Sequence, residues 1–459
     1  MNNNSCILYN VVLIKKDGDI LKGFKMNGPG KPFEILDNFL FPKIFQAFRM
    51  AIRPTKLLIA FSALAIICLA GWLMDFSKTV VVTPVAQGHI SELEVYLSQP
   101  ERVPLHITGY KTTGDSVGVF STLWNFAASK FQSGVDALLT FNLPAVATDA
   151  SDFVKAASWA FRYHFIYSII FAAVIFIVIS IAGGCLCRLT AVQFAHSERA
   201  GLAEALQFVK NNFSSFFAAP LAPVGIIIFT GLLISVLGLI TNIPFVGELI
   251  MAVTLPFALM AGMFITIILI GTAGGFNLMF PAVACDGSDC FDAISKAFSY
   301  IYSKPWRMGF YTLTAGLYGA ICYTFVRFCT FLLLSATYLF LQLSVWADNS
   351  AKETNKLLAI WPPPQFKNLQ GYSSIASTNS TEFIAAFLVH LSLLIIVGLL
   401  VSFVISFYFS ANTIIYILLR NRVDNIALED IYTYSATAKP GPIDAAQQPQ
   451  TDADKAQVR

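Results

Sequence analysis

Residues 280–307 read FPAVACDGSDCFDAISKAFSYIYSKPWR, and the order of events in that stretch sets the architecture. A proline-bearing apolar run stops at Gly287, a short amphipathic segment follows, and Lys304-Pro305 introduces a new apolar run. Two other places repeat the plan. Ala47-Phe48 leads to Arg53-Pro54 before one long apolar run, and Ala205-Leu206 leads to Asn211-Asn212 before another, polar residues standing where the other copies have proline. Two apolar runs follow each copy. A unit used three times predicts an all-α polytopic membrane protein of three direct hairpin repeats, each preceded by an amphipathic elbow helix.

Composition points the same way. Hydrophobic residues make up 56% of the chain and charged residues 12%, about half the charge of an ordinary soluble domain. The 41 phenylalanines suit lipid better than a soluble core of this length. A net charge of +3 gives no case for a nucleic-acid partner.

A span needs roughly 17 to 25 mostly apolar residues. Six stretches qualify: 57–75, 165–184, 219–240, 249–271, 307–345 and 383–419, the last including a cytoplasmic extension of its helix. The fifth is too long for one crossing, so it either projects beyond the bilayer or breaks near Arg327. The basic N-terminal region 1–56, the elbow 185–218 and the elbow 280–306 carry lysine and arginine, while the turn Thr241-Asn242-Ile243-Pro244 carries none. With Arg420 and Arg422 after the last run, the bias places both termini in the cytoplasm of a cell (inner) membrane. The first run lies too far from the N-terminus for an ordinary signal peptide.

Two regions then face outside. The larger, 76–164, is expected to be a small α+β insertion, with β-like patches at Thr79 to Thr83 and Val103 to Tyr110. It also holds a helical stripe of Phe120, Leu123, Trp124, Phe131, Val135 and Leu138 that packs on the bilayer surface or on neighbours. Asp149 to Asp152 reads as the start of a further helix. The smaller, 346–382, contains Trp361-Pro362-Pro363-Pro364, rigid and extended. The cytoplasmic tail 420–459 is expected to be disordered from about 435.

The elbows carry the clearest amphipathic pattern. Phe291, Ile294, Ala297, Phe298 and Ile301 share one face opposite Asp292, Lys296 and Ser299; Leu202, Ala205, Leu206, Val209 and Phe213 oppose Glu204, Gln207 and Lys210. The first elbow sets Ile44, Phe45, Phe48 and Ile52 against Lys43, Gln46 and Arg49. Such helices either set the entry angle of the next span or lie in the interface. Arg49, Arg53, Lys210, Lys296, Lys304 and Arg307 are the candidates to meet anionic head groups.

The run Phe280-Pro281-Ala282-Val283, Gly287, Phe291-Asp292-Ala293-Ile294, Ala297-Phe298 and Pro305-Trp306-Arg307 resembles a pattern of a loose membrane superfamily. That superfamily comprises the membrane domain attached to some bacterial glycerophosphodiester phosphodiesterases and its stand-alone YciC-like relatives of unknown function. The resemblance spans residues 165 to 420. It implies a membrane fold and no chemistry, because no stretch here is long enough for the catalytic barrel.

Chemistry-bearing residues are sparse. The histidines at 89, 106, 164, 196 and 390 show no paired spacing, and neither a phosphate-cradling loop nor a metalloprotease signature is present. Cys185, Cys187, Cys285 and Cys290 stand at equivalent places after two spans, a weak zinc candidate set whose spacing is not a usual zinc pairing. Within the apolar runs Arg327, His390, Asn277 and Asn412 are candidates for an intramembrane polar site; alternatively Arg327 snorkels or marks a helix break. No cofactor is implied. The leading reading is a non-enzymatic protein that organises membrane lipids, anionic ones included, or an unidentified protein partner. A transporter or channel on the threefold repeat is the alternative, and a lipid-active enzyme ranks last.

Overall fold

The computed structural model describes residues 41–85, 88–110, 115–196, 201–243, 246–345, 356–366, 368–369 and 380–432. The basic region before residue 41, most of the loop 346–382 and the tail expected to be disordered lie outside the described residues. Six helices are long and apolar enough to cross a membrane: Pro54–Ser77, Phe165–His196, Phe213–Ile240, Gly247–Asp286, Pro305–Ser344 and Phe383–Val423. By length and composition the chain is a multi-pass membrane protein.

In chain order a 3-10 turn, Phe41–Phe45, runs into α1 (Gln46–Ala51), and α2 (Pro54–Met74) is the first long helix. An insertion follows: β1 (Val80–Val85), β2 (Gly88–Ser91), α3 (Glu92–Ser98), α4 (Val103–Tyr110), β3 (Asp115–Val117), α5 (Val119–Leu139) and α6 (Leu143–Tyr163). Then come α7 (Phe165–His196), the short α8 (Leu202–Asn211), α9 (Phe213–Ile240), α10 (Gly247–Asp286), the short α11 (Cys290–Ser303), α12 (Pro305–Ser344), α13 (Lys356–Ile360) and α14 (Ser380–Val423).

The starts and stops follow the sequence. Arg53 is extended and Pro54 opens α2; Lys304 likewise precedes Pro305 of α12, because proline disfavours a helical residue before it yet suits the first turn. Gly287 ends α10 at φ +64°, its N–H donating to the Val283 carbonyl at 2.9 Å. A left-handed cap of this kind favours glycine, and a Cβ there would also stand 2.9 Å from the Tyr432 ring.

The central helix is α14, which packs on α2, α7, α10 and α12. Its 44 residues rise about 66 Å, twice a bilayer core. The surplus is buried in protein: Ile414 through Leu419 are at most 1% exposed. Around them stand the ends of α7 and α10, with α1, α8 and α11 packed alongside. This basal layer explains why α7 and α10 outrun their expected ends at Gly184 and Gly271. Residues such as Cys185, Leu186, Ala282 and Val283 stay apolar, but they face protein instead of lipid. The most apolar stretches of α9 and α10 bury only 6% of their residues, leaving that hairpin largely uncovered by protein.

Three expectations change, and one alternative falls. Of the two readings of the overlong fifth run, the break at Arg327 is the one removed: α12 is a single continuous helix. Val103–Tyr110 is helix and not strand; Pro104 has no N–H for a ladder but fits a first helical turn, and β3 pairs with β1 instead, Val80 opposite Val117. The helix expected to start at Asp149 starts at Leu143, where Asn142 accepts from the Ala145 N–H at 3.3 Å. That side-chain cap followed by Pro144 is a stronger start signal than the aspartates. The amphipathic helices turn much of their apolar faces onto the basal layer: Ala47 and Met50, Ala205 and Val209, Ala293, Ala297 and Ile301 are buried. Phe45, Ile52, Leu206 and Phe291, assigned to those faces, are exposed.

The insertion has a core of Val80, Val82, Leu93, Val119 and Trp159. Asp75 caps α5, accepting from the Phe120 and Ser121 N–H groups at 2.8 and 2.9 Å, a favourable place for an anion. From there α5 runs antiparallel to α12, Phe131 meeting Tyr323 at 5.2 Å between ring centroids.

Candidate functional site

Four helices leave a cleft of about 220 Å³ between them. Its floor is α14 from Phe403 to Ile415, and α12 from Thr312 to Tyr323 forms one wall. Asn277 of α10 stands opposite, and Phe131, Val135 and Leu138 of α5 cover it. Glycines open the α12 wall. A Cβ on Gly316 would meet nothing within 4 Å, whereas one on Gly319 would lie 2.7 Å from the Phe407 ring. Gly319 lets α12 approach α14, and Gly316 leaves space.

One end of this apolar cleft is polar. The Tyr408 hydroxyl donates to Asn277 Oδ1, and Asn412 Nδ2 donates to the Tyr408 carbonyl at 3.0 Å. The other amide atoms, Asn277 Nδ2 and Asn412 Oδ1, have no hydrogen bond among the described residues. The two asparagines read from sequence therefore line one cleft, Asn277 on the hydroxyl and Asn412 on the backbone carbonyl of Tyr408, a residue the sequence reading passed over. An aromatic in a phenylalanine-rich helix carries no signal of a polar role.

Arg327 and His390 do not join them. Arg327 is 6% exposed. Its Nε and an Nη donate to the Phe366 carbonyl at 3.0 and 2.8 Å, and its other Nη donates to the Tyr323 hydroxyl at 3.0 Å. The Gln132 amide oxygen of α5 also accepts from the guanidinium, which lies over the Phe366 ring at 5.2 Å. Arg327 ties three segments together: α12, α5 and the loop after α13. His390 is exposed on α14, and among the described residues it makes no hydrogen bond to Arg327.

The cysteines are divided. Cys185, Cys187 and Cys285 are buried in the basal layer and Cys290 is half-buried at the start of α11. Among the described residues no three histidine, cysteine or acidic side chains converge to hold a metal.

The basal layer holds an ionic network that the sequence reading missed. Asp286 accepts from Arg420, from Lys296 at 3.0 Å and from the Tyr416 hydroxyl at 2.6 Å. Tyr300 donates to Asp424, and the Tyr432 N–H donates to the Cys285 carbonyl at 2.8 Å. Arg188 donates to the Ala284 carbonyl at 3.0 Å and sits 4.3 Å over the Phe208 ring. Burial alone would lower the Lys296 ammonium, but hydrogen bonds to Asp292 and Asp286 outweigh it and hold the group above its ordinary range. Burial and Asp424 push the Tyr300 phenol up. Nearby, Lys56 is 1% exposed and among the described residues donates to two hydroxyls, Thr190 at 2.7 Å and Ser410 at 3.5 Å.

Of the basic residues expected to meet head groups, Arg49, Lys210, Lys304 and Arg307 are exposed and Arg53 is half-buried. Lys296 is instead engaged by Asp286 and Asp292. Trp306, between Lys304 and Arg307, is 90% exposed, in keeping with aromatic anchors at an interface.

No family model, curated protein or solved structure matches this chain.

Proposed function

We propose that this chain is a non-enzymatic membrane protein that holds a lipid-like amphiphile within its helical bundle. The supporting observation is the cleft under α5: phenylalanine, valine, leucine and glycine along its walls, with two part-used amides at one end. Sites that combine apolar walls with a few placed polar groups are the usual form of small-molecule sites. Inside a bilayer the molecules at highest concentration with that chemistry are lipids.

The topology belongs to the proposal. The lysine and arginine bias puts the basal layer and both termini in the cytoplasm of a cell (inner) membrane, with α1, α8 and α11 as elbows of three hairpin repeats. The exposed basic residues and Trp306 then sit at the cytoplasmic head groups. In that frame Asp75 lies at the outer ends of the spans. The 21 residues of α5 reach about 30 Å back from it, so part of 76–164 lies at bilayer depth. Non-helical backbone at such depth must be covered or paired, which Arg327 does for the Phe366 carbonyl. The resemblance to a phosphodiesterase-linked membrane domain contributes only a precedent for a membrane fold without chemistry.

Extraction into native lipid discs, followed by mass spectrometry, tests the function. One lipid class enriched over the surrounding membrane, and lost on Gly316→Leu, supports it. Bulk lipid composition in both proteins refutes it. Cysteines placed singly at Ser116 and Ser299, in a background without the native ones, test the topology. Only Ser116→Cys should react with an impermeant reagent from outside, and equal labelling contradicts the orientation.

A further inference from the structure

Building on that lipid-holding reading, we infer that the cleft takes an uncharged single-chain lipid with a hydroxyl head, such as a long-chain alcohol. The first ground is charge. Tyrosines 323 and 408 are the only titratable side chains lining the cleft among the described residues. Two buried cations stand near the cleft without lining it: Arg327 donates to Phe366, Tyr323 and Gln132, and Lys56 donates to Thr190 and Ser410. A carboxylate or phosphate placed at Asn277 and Asn412 would lose its hydration without gaining a counter-charge, which costs far more than burying a neutral group.

The second ground is hydrogen-bond parity. Asn277 has an amide donor and Asn412 an amide acceptor without partners among the described residues, and both side chains line the same cleft. A hydroxyl donates one bond and accepts others, so one alcohol group satisfies an amide N–H and an amide carbonyl together. An ester carbonyl accepts only and would leave Asn412 Oδ1 unpaired.

The third is size. About 220 Å³ is below the range of sites for drug-sized ligands, roughly 300 to 1,000 Å³, and suits the head and first carbons of one chain. The open space at Gly316 lies along the α12 wall where that chain would pass.

The test uses the full chain in phosphatidylcholine discs with two photoreactive, clickable probes of equal chain length, a fatty alcohol and a fatty acid ionised at the working pH. Crosslinked peptides are mapped by mass spectrometry. The alcohol is expected to label segments 131–138, 312–323 and 403–415 about tenfold more than the acid, a difference equal to about 1.4 kcal/mol. Gly316→Leu should abolish that labelling. Excess unlabelled hexadecanol should do so on the unaltered chain, which keeps the test independent of any variant's folding. Equal or stronger cleft labelling by the acid, lost on Gly316→Leu, overturns the neutral-ligand inference and leaves the lipid-holding reading standing. Cleft labelling by neither probe, or labelling that neither the variant nor the competitor reduces, overturns both.

Discussion

Replacing Arg327 with methionine removes a guanidinium that holds three segments of the protein at once. The side chain is buried, it donates twice to the Phe366 carbonyl, and it reaches Tyr323 of its own helix and Gln132 of α5. Methionine keeps the apolar stem and leaves the Phe366 carbonyl, the Gln132 amide and the Tyr323 hydroxyl without their donor. Each of the three orphaned buried groups costs about 1–3 kcal/mol, so the gross loss is roughly 3–9 kcal/mol. The variant is spared the desolvation of a buried cation, which returns several kcal/mol in part. The net expectation is a loss of about 2–4 kcal/mol.

Gln132→Leu should cost about 1–2 kcal/mol. Because both substitutions break the same bond, the double variant should fall short of additivity by about 1 kcal/mol or more. Denaturant midpoints in detergent, followed by near-ultraviolet circular dichroism, give all three values. His390→Ala, on the exposed face of α14, should stay within about 0.5 kcal/mol of the parent. A stable Arg327→Met protein, or strict additivity with Gln132→Leu, would refute the reading of Arg327 as a tie.

Asp286→Asn should destabilise by about 3–5 kcal/mol, because Arg420 and Lys296 lose their shared carboxylate; chemical denaturation reads this directly, and a midpoint unchanged from wild type contradicts the network. Lys56→Met should be neutral or stabilising, within about 1 kcal/mol, since a buried ammonium held only by two hydroxyls gains little against its desolvation; a large loss would assign Lys56 a partner or a function. Stability should fall under alkaline conditions. The folded-state values of Lys296 and Tyr300 are raised, so their contributions are complete below the unfolded values of about 10 and are lost as pH rises through the folded values. Tyr300→Phe should flatten that slope in denaturation curves at pH 8 and pH 11, and an unchanged slope refutes the assignment.

The span count was legible because lipid and protein interiors both demand apolar residues, and every long run became a helix. The ends were less legible for the same reason. Beyond Gly184 and Gly271 the residues remain apolar or small, and hydropathy cannot tell a lipid neighbour from the packed side of α14. Val103–Tyr110 misled because its β-rich composition outweighed one proline in the reading. The stripe on α5 was visible at helical spacing, but its partner was not, since nothing local in Phe131 or Leu138 names α12 or Asn277. Asn277 and Asn412 stood out as polar residues in apolar helices. The hydroxyl that Asn277 accepts from belongs to Tyr408, and only the crossing of α10 with α14 brings it into place. Arg327 was conspicuous for its charge, while its role depends on a backbone carbonyl 39 positions away in sequence.

The most direct test of the account is a cryo-electron microscopy map of the protein in native lipid discs. The account predicts elongated density between α5, α12 and α14 with one end at Asn277, Tyr408 and Asn412, and no such density in Gly316→Leu. A cleft closed by side chains, or α5 lying away from α12, would contradict it.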